Sequence, residues 1–187
     1  MLRAFIPAIL CVALASCGAK DETSKQTAGG NRVENAAITK LDLTSDAFRN
    51  GQPIPVQYTC DGADRSPALT WGEPPQGTNS FALVVDDPDA PNGTFRHWGA
   101  FDIPASARSI AAGETLGAQA VNDFGKSGYG GPCPPKGHGL HHYHFKLLAL
   151  DVDTLGLGPD AKVAEVERAA DQHAIAKAEL VGTYERK

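Results

Sequence analysis

Clustered basic residues are missing from this 187-residue sequence, whose formal net charge is −5 at pH 7. Nucleic-acid binding depends on grouped Lys and Arg side chains that neutralise phosphates, so this composition argues against a nucleic-acid partner. The sequence also lacks internal repeats and a coiled-coil pattern. Its length is typical of one domain plus a targeting segment.

A hydrophobic run long enough to cross a bilayer is missing too. The apolar residues 4–13 follow the positive charge of Arg3 and are too short for a spanning helix, which is typical of a secretory signal. They lead into Leu14-Ala15-Ser16-Cys17, which resembles the lipobox of bacterial lipoproteins. This resemblance implies a signal peptide over residues 1–16 and a diacylglycerol group on Cys17. An ordinary signal peptide with an incidental Cys is the alternative.

The residues after Cys17 extend this interpretation. Gly18 stands where an Asp would indicate retention at an inner membrane, so we expect an exported lipoprotein at the outer membrane, facing the periplasm. Residues 17–37 offer few apolar side chains, and we expect the lipidated Cys to lead into a flexible tether. Residues 38–187 then form the folded domain.

Cysteines are few, four in all. Cys11 lies in the predicted signal peptide and Cys17 is the lipidation candidate, which leaves Cys60 and Cys133. Two such cysteines in an oxidising compartment favour a disulfide. Two buried free thiols are the alternative, because a sequence does not show whether the two Cα atoms approach each other.

Helical periodicity is scarce, and short β-type segments separated by Gly, Pro, Asn and Asp dominate the domain. One helix is predicted after Gly158-Pro159-Asp160, with Val163, Val166, Ala170 and Ala174 on one stripe. These elements predict a mainly-β fold, a β-sandwich with a small C-terminal helical element, and not an alternating βαβ fold. Strands are predicted over residues 38–43, 54–59, 69–71, 81–85, 94–103, 143–150 and 179–184.

The first polar segment of interest is Asp86-Asp87-Pro88-Asp89-Ala90-Pro91, followed by His97-Trp98. On a strand of period two, Asp87 continues the apolar row of Val85 to the rim of the sheet. The prolines stiffen the turn that holds the carboxylates. Taken alone, this segment could equally be a surface turn, in which Asp and Pro are common.

The second polar segment covers residues 128–143. Its Gly-Pro run excludes a helix or a central strand and exposes backbone amides, which can form an anion-accepting concavity. The run feeds a strand on which His141 and Tyr143 point to one side, whereas His142 and His144 point to the other. His141 and Tyr143 therefore stand at the entrance of a row that becomes apolar.

Together these motifs resemble the phosphatidylethanolamine-binding protein family, in particular its bacterial Raf-kinase-inhibitor-like branch. The resemblance covers residues 38–186 and rests on Asp87-Pro88-Asp89-Ala90-Pro91, His97-Trp98, the Gly-Pro run of residues 130–135, and His141-His142-Tyr143. It implies two packed antiparallel sheets with a small cavity that accepts phosphate- or carboxylate-bearing anions, including phospholipid head groups. The binding residues it implies are Asp87, Asp89, His97, Gly131, Pro132, Pro135, His141 and Tyr143.

The implied residues suit an anion chemically. Imidazole and phenol groups can donate hydrogen bonds to anion oxygens, and a neighbouring Asp fixes a His tautomer. Where many relatives carry Arg, this chain has His142, which lowers the fixed positive charge near the cavity. Because imidazole ordinarily titrates near pH 6.5, we expect the affinity for a phosphomonoester to fall from about pH 5.5 to 8.

The expected function is anion binding without catalysis and without a cofactor. The main alternative is an inhibitor or regulator that docks an envelope kinase or protease through the same pocket. A hydrolase is less favoured, because Gly125-Lys126-Ser127-Gly128-Tyr129 misses the G-x-S-x-G pattern. A metal site among the clustered histidines is also less favoured, since strand alternation separates His141 from His142 and His144 and no Cys/His metal spacing frames them.

Overall fold

The computed structural model describes residues 39–187. The predicted signal peptide, Cys17 and the predicted tether lie outside the described residues. Among residues 39–187, no helix combines the length and the apolar character that a membrane crossing requires. This part of the chain forms ten strands and one α-helix: β1 (Thr39–Lys40), β2 (Leu43–Thr44), β3 (Gln52–Pro53), β4 (Leu69–Trp71), β5 (Ser80–Asp87), β6 (Phe95–Pro104), β7 (Ser109–Ile110), β8 (Ala118–Gln119), β9 (His141–Leu150), α1 (Val163–His173) and β10 (Ala174–Tyr184).

The strands form two sheets. The larger one has the order β1-β10-β9-β5-β6-β8, with β3 also paired to β10, and the smaller one has the order β2-β4-β7. The four long strands β10, β9, β5 and β6 are antiparallel neighbours, whereas the short β1 and β3 run parallel to β10. The prediction of a mainly-β, two-sheet fold with one helix near the C-terminus is confirmed.

Strand β5 carries apolar residues on both faces because both faces of the large sheet are covered. Phe81, Leu83 and Val85 pack with residues of the smaller sheet such as Leu69 and Trp71. On the other face, alternate residues of β5 and β9 pack against the buried stripe of α1. This second core contains Ala82, Val84, Leu148, Val163, Val166 and Ala170.

Two predicted strands differ from the structure. Residues 54–59 were expected to be extended, but Val56–Tyr58 form a turn of 3₁₀ helix. Pro53 and Pro55 have no N–H to donate to a strand ladder, and the Thr59 hydroxyl donates to the Val56 carbonyl at 2.9 Å. The strand expected over residues 38–43 is divided, because β1 pairs with β10 in the large sheet and β2 pairs with β4 in the small one.

A disulfide joins Cys60 to Cys133, whose Cα atoms are 5.4 Å apart, so the predicted pairing is confirmed. It connects the segment after the 3₁₀ turn to the Gly-Pro run that precedes β9. The Cys60 N–H also donates to the Pro132 carbonyl at 3.2 Å, which adds a backbone bond beside the covalent one. The Gly-Pro run is therefore held in place although it belongs to neither sheet.

Candidate functional site

Three long strands end or begin at the same rim of the large sheet. Strand β5 ends at Asp87, and its antiparallel neighbours β6 and β9 begin at Phe95 and His141. In this register Asp87 stands opposite Phe95, and Asp86 stands opposite His144. The rim encloses a cavity of about 180 Å³ lined by Asp87, Ala90, Pro91, Phe95, His97, Phe124, Cys133, Pro134, Pro135 and His141.

Asp87 and His141 form a buried pair in this cavity. His141 Nδ1 lies 2.7 Å from Asp87 Oδ2, and the two side chains are 2% and 4% exposed. The other carboxylate oxygen accepts the Asp89 N–H at 2.9 Å. Because an ionised carboxylate only accepts, His141 Nδ1 carries the proton of their hydrogen bond, which fixes the orientation and tautomer of the ring.

His97 is held by an exchange of two hydrogen bonds with Gly130. Its ring Nδ1 donates to the Gly130 carbonyl at 2.8 Å, and the Gly130 N–H donates to the His97 carbonyl at 2.9 Å. Burial lowers the pKa of His97 below its ordinary value. The ring is therefore neutral near pH 7, with a proton on Nδ1 and a lone pair on Nε2 that can accept a hydrogen bond.

Tyr143 contacts the rings of His97 and His141 and is fully buried, but it is not among the residues that line the cavity. Its ring meets His97 nearly edge-on, with 5.2 Å between ring centroids. Within residues 39–187 its hydroxyl has no hydrogen-bond partner, which is uncommon and costly for a buried polar group. Burial above all, with the charge of Asp87 second, raises the pKa of this hydroxyl, so it stays protonated and able to donate.

The Gly-Pro run contributes Cys133, Pro134 and Pro135 to the cavity lining, but not its glycine amides. The Gly131 N–H donates to Asp64 Oδ1 at 2.7 Å, and the Gly130 N–H is taken by His97. The expectation that glycine amides of this run accept an anion is therefore wrong at these two positions. Gly131 and Pro132 do not line the cavity; they anchor the wall that Cys133, Pro134 and Pro135 form.

Gly131 is a glycine for steric reasons. A Cβ built at this position would come within 2.5 Å of the Tyr58 carbonyl oxygen and 2.9 Å of the Thr59 Cα atom. Neither backbone atom can move easily, because Cys60 beside them is tied to Cys133. The absent side chain therefore lets the cavity wall lie close to residues 58–59.

Asp89 lies outside the cavity lining. One of its carboxylate oxygens accepts from the His142 N–H at 2.8 Å and from the His142 ring Nδ1 at 2.7 Å, and both side chains are exposed. His142 thus forms a surface pair with Asp89. This pair ties the turn after β5 to the first residues of β9, so Asp89 shapes the rim of the site.

Several residues at or beside the cavity were not predicted from the sequence. Phe95 precedes His97 by two positions on β6, so strand alternation could have indicated it. Phe124 carried no such signal: it comes from a loop, and its ring packs 4.7 Å from Phe95 and 5.3 Å from His97. His138 was also missed as a contact of His141, although it lies in the predicted segment.

The largest cavities lie elsewhere. Two open grooves of about 550 and 590 Å³ run along α1, and charged side chains such as Lys146 and Glu167 line them. These charges are largely paired with one another, as in the contact of Lys146 with Asp86 at 2.6 Å. Across residues 39–187, no three His, Cys, Asp or Glu side chains are grouped so that they could hold a metal ion. The rim cavity is the better candidate because Asp87, His97 and His141 are buried together there, whereas the charges along α1 are partly exposed.

Comparison with known proteins gives consistent matches. The model of the family "Phosphatidylethanolamine-binding protein" matches residues 44–185. A UPF0098 protein of Aquifex aeolicus is 48% identical over 152 residues, which cover 78% of this chain and 89% of that protein. A Mycobacterium tuberculosis protein named "Putative lipoprotein LppC" is 42% identical over 186 residues, which cover 94% of this chain and 92% of that protein. The crystal structure of Escherichia coli YbcL, described as a new member of the mammalian PEBP family, superposes with a TM-score of 0.75 and 35% identity, covering 80% of this chain and 100% of YbcL.

Proposed function

The chain belongs to the phosphatidylethanolamine-binding protein family, and on this premise we propose that its rim cavity binds a small anionic group without catalysing a reaction. The observation that carries the proposal is the convergence of Asp87, His97 and His141 on one cavity. They come from three different strands, and all three are buried. Asp87 and His141 are hydrogen-bonded to protein groups, whereas Nε2 of His97 keeps a lone pair that a ligand can use.

The size of the cavity favours a phosphate- or carboxylate-bearing group rather than a whole lipid. A volume of about 180 Å³ corresponds to roughly six water molecules at about 30 Å³ each. This is below the range of about 300–1,000 Å³ that is typical of sites for drug-sized ligands. A phospholipid would therefore place its head group in the cavity and keep its acyl chains outside.

The charge of the cavity favours an anion that carries a proton. With Asp87 ionised and His97 neutral, a fully ionised phosphate would meet a carboxylate and an accepting ring nitrogen. A monoprotonated phosphoryl group can instead donate its P–OH to Nε2 of His97, a residue of the cavity lining. Affinity should therefore decrease from about pH 5.5 to 8, as a phosphomonoester loses its second proton near pH 6.

The chemistry of the lining supports binding rather than turnover. The one sulfur that lines the cavity belongs to Cys133 and is bonded to Cys60, so it is not a free thiolate nucleophile. The remaining polar groups at the cavity, Asp87, His97 and His141, orient one another or the backbone. Inhibitory docking of an envelope kinase or protease through the same pocket stays a prediction.

We further propose that the protein works as a lipoprotein attached through Cys17 at the outer membrane, facing the periplasm. The match to LppC supports this proposal because it extends over 94% of the chain and so reaches into the N-terminal region. Incorporation of labelled palmitate in cells should require Cys17, and a Cys17→Ala variant should lose both the label and the membrane fraction. Labelling that persists in this variant would contradict the proposal.

Calorimetric titration tests the anion site. O-phosphoethanolamine and succinate are titrated separately into wild type and His141→Ala, and His144→Ala serves as a control because its ring faces outward toward Glu179. We expect His141→Ala to lose at least about 10-fold in affinity for the preferred anion, in line with about 1.5–3 kcal/mol for a hydrogen bond to a charged group. Equal binding by the wild type and His141→Ala would overturn the proposal.

A further inference from the structure

His138 occupies the only nitrogen of His141 that Asp87 leaves available. His138 Nδ1 lies 2.8 Å from His141 Nε2, and the ring centroids are 5.0 Å apart. The three groups thus form a chain from the Asp87 carboxylate through His141 to His138. In the described structure both ring nitrogens of His141 are therefore engaged by protein partners, and neither is free for a ligand.

The loop around His138 allows its ring to leave this position. His138 is exposed and stands between Gly137 and Gly139, which adopt φ of +73° and +98°. The backbone of the loop is held on the N-terminal side of the ring, because the Gly137 N–H donates to the Arg186 carbonyl and the His138 N–H donates to the Pro135 carbonyl. His141, by contrast, is buried and is the first residue of β9. Of the two rings, only that of His138 can move without disturbing the sheet.

The contact between the rings holds a single proton. His141 Nδ1 already donates its N–H to Asp87, so its Nε2 either accepts a hydrogen bond from a protonated His138 Nδ1 or donates one to an unprotonated Nδ1. If both rings become imidazolium, two N–H groups face each other and the hydrogen bond is lost. An anion that accepts a hydrogen bond from His141 Nε2 competes with His138 for the same position.

We propose that His138 is a displaceable cap on the anion cavity, which covers His141 Nε2 in the empty site and leaves when an anion or a second proton arrives. This inference rests on the proposed function of the cavity. The ligand must break the bond between the two rings before it can use His141 as a donor. His138 therefore lowers the affinity near neutral pH and increases the gain in affinity on acidification.

Several other charged and titratable groups lie near the rings of His138 and His141, and most of them already have hydrogen-bond or ion-pair partners. Asp87 from β5 is the hydrogen-bond partner of His141, whereas Tyr143 on β9 stays neutral because burial raises its pKa. The remaining groups are Asp89, which is paired with His142; Lys136, adjacent on the same loop; Arg186, which is paired with Asp61; and His97 from β6, whose Nδ1 is bonded to Gly130.

The test measures inorganic phosphate binding by calorimetry at pH 7.5 and pH 5.5, with the full chain in dodecyl maltoside. Loss of one competing hydrogen bond in His138→Ala should raise the affinity at pH 7.5 by about 2- to 10-fold and leave it nearly unchanged at pH 5.5. Lys136→Ala, on the same loop, is the matched control for loop mobility and nearby charge. An unchanged or weaker affinity of His138→Ala at pH 7.5 would overturn the cap, the weaker one identifying His138 as a direct ligand.

Two further outcomes separate this inference from the proposed function. If neither wild type nor His138→Ala binds phosphate, O-phosphoethanolamine or succinate, the proposed function fails and the competition fails with it. If wild type binds but gains nothing from His138→Ala, only the cap fails. Imidazole ¹⁵N spectra of the ligand-free chain provide a second readout: His138→Ala should shift the His141 Nε2 signal and Lys136→Ala should not, and an unmoved signal would also overturn the cap.

Discussion

Removing the disulfide should cost the domain a large share of its stability and loosen one wall of the cavity. The change is the double substitution Cys60→Ala with Cys133→Ala, which avoids leaving a free thiol. Cys133 lines the cavity, and Pro134 and Pro135 belong to the same wall. The effect should therefore be visible both in unfolding and in anion binding.

The magnitude follows from the length of chain that the bond closes. The two cysteines are separated by 73 positions. In the chain-entropy model, closing a loop of this length removes about 15 cal/mol/K from the unfolded ensemble, or about 4 kcal/mol at 25 °C. For a domain of this size, each kcal/mol corresponds to about 2–4 °C in Tm, so we expect a decrease of about 8–16 °C.

Urea unfolding followed by tryptophan fluorescence, with and without dithiothreitol, measures this difference. Wild type should lose about 4 kcal/mol in the free energy of unfolding on reduction, and the double variant should match reduced wild type and ignore the reductant. A difference below about 1 kcal/mol between oxidised wild type and the double variant would refute the reasoning, because the bond would then not limit the unfolded ensemble as assumed.

Three substitutions test other parts of the account. Gly131→Ala should destabilise the domain by about 1–3 kcal/mol through overpacking against the Tyr58 carbonyl, whereas Gly158→Ala, which has open space, should have little effect in the same urea titration; equal effects would contradict the steric argument. Since burial lowers the pKa of His97, the unfolded state binds a proton below pH 6.5 that the folded state lacks. The free energy of unfolding should therefore fall as pH decreases below about 6.5, by at most about 1.4 kcal/mol per pH unit. In His97→Gln this contribution to the pH dependence should be missing; a pH dependence identical to that of wild type would contradict the role of His97. Tyr143→Phe should leave stability unchanged or raise it by up to about 1 kcal/mol in the same urea titration, because its buried hydroxyl has no hydrogen-bond partner among residues 39–187; a clear loss of stability would instead reveal a structural hydrogen bond.

Strand periodicity predicted most of the long elements of the fold. The run Phe81–Val85, which is apolar on both faces, indicated a central strand. This strand lies between β9 and β6, and its two faces contribute to the two hydrophobic cores. The alternation of β9 was read correctly as well, with Tyr143 inward and His142 outward. The 3₁₀ turn at Val56–Tyr58 escaped because its residues favour β structure individually, while the prolines around it remove the donors that a strand needs.

The site was predicted best where it lies on strands. Asp87 and His141 could be placed at one rim because alternation continues an apolar row to the strand end. Loop residues could not be placed in this way: Phe124 reaches the cavity only through tertiary packing. His138 likewise meets His141 only because two glycines turn the loop back toward β9.

A crystal structure of the protein grown near pH 5.5 with O-phosphoethanolamine tests the central claim most directly. The account predicts the phosphoryl group inside the rim cavity, within hydrogen-bond distance of His141 and His97, with the His138 ring turned away. A phosphoryl group bound along α1 beside Lys146, with the cavity empty and the His138–His141 contact intact, would contradict it.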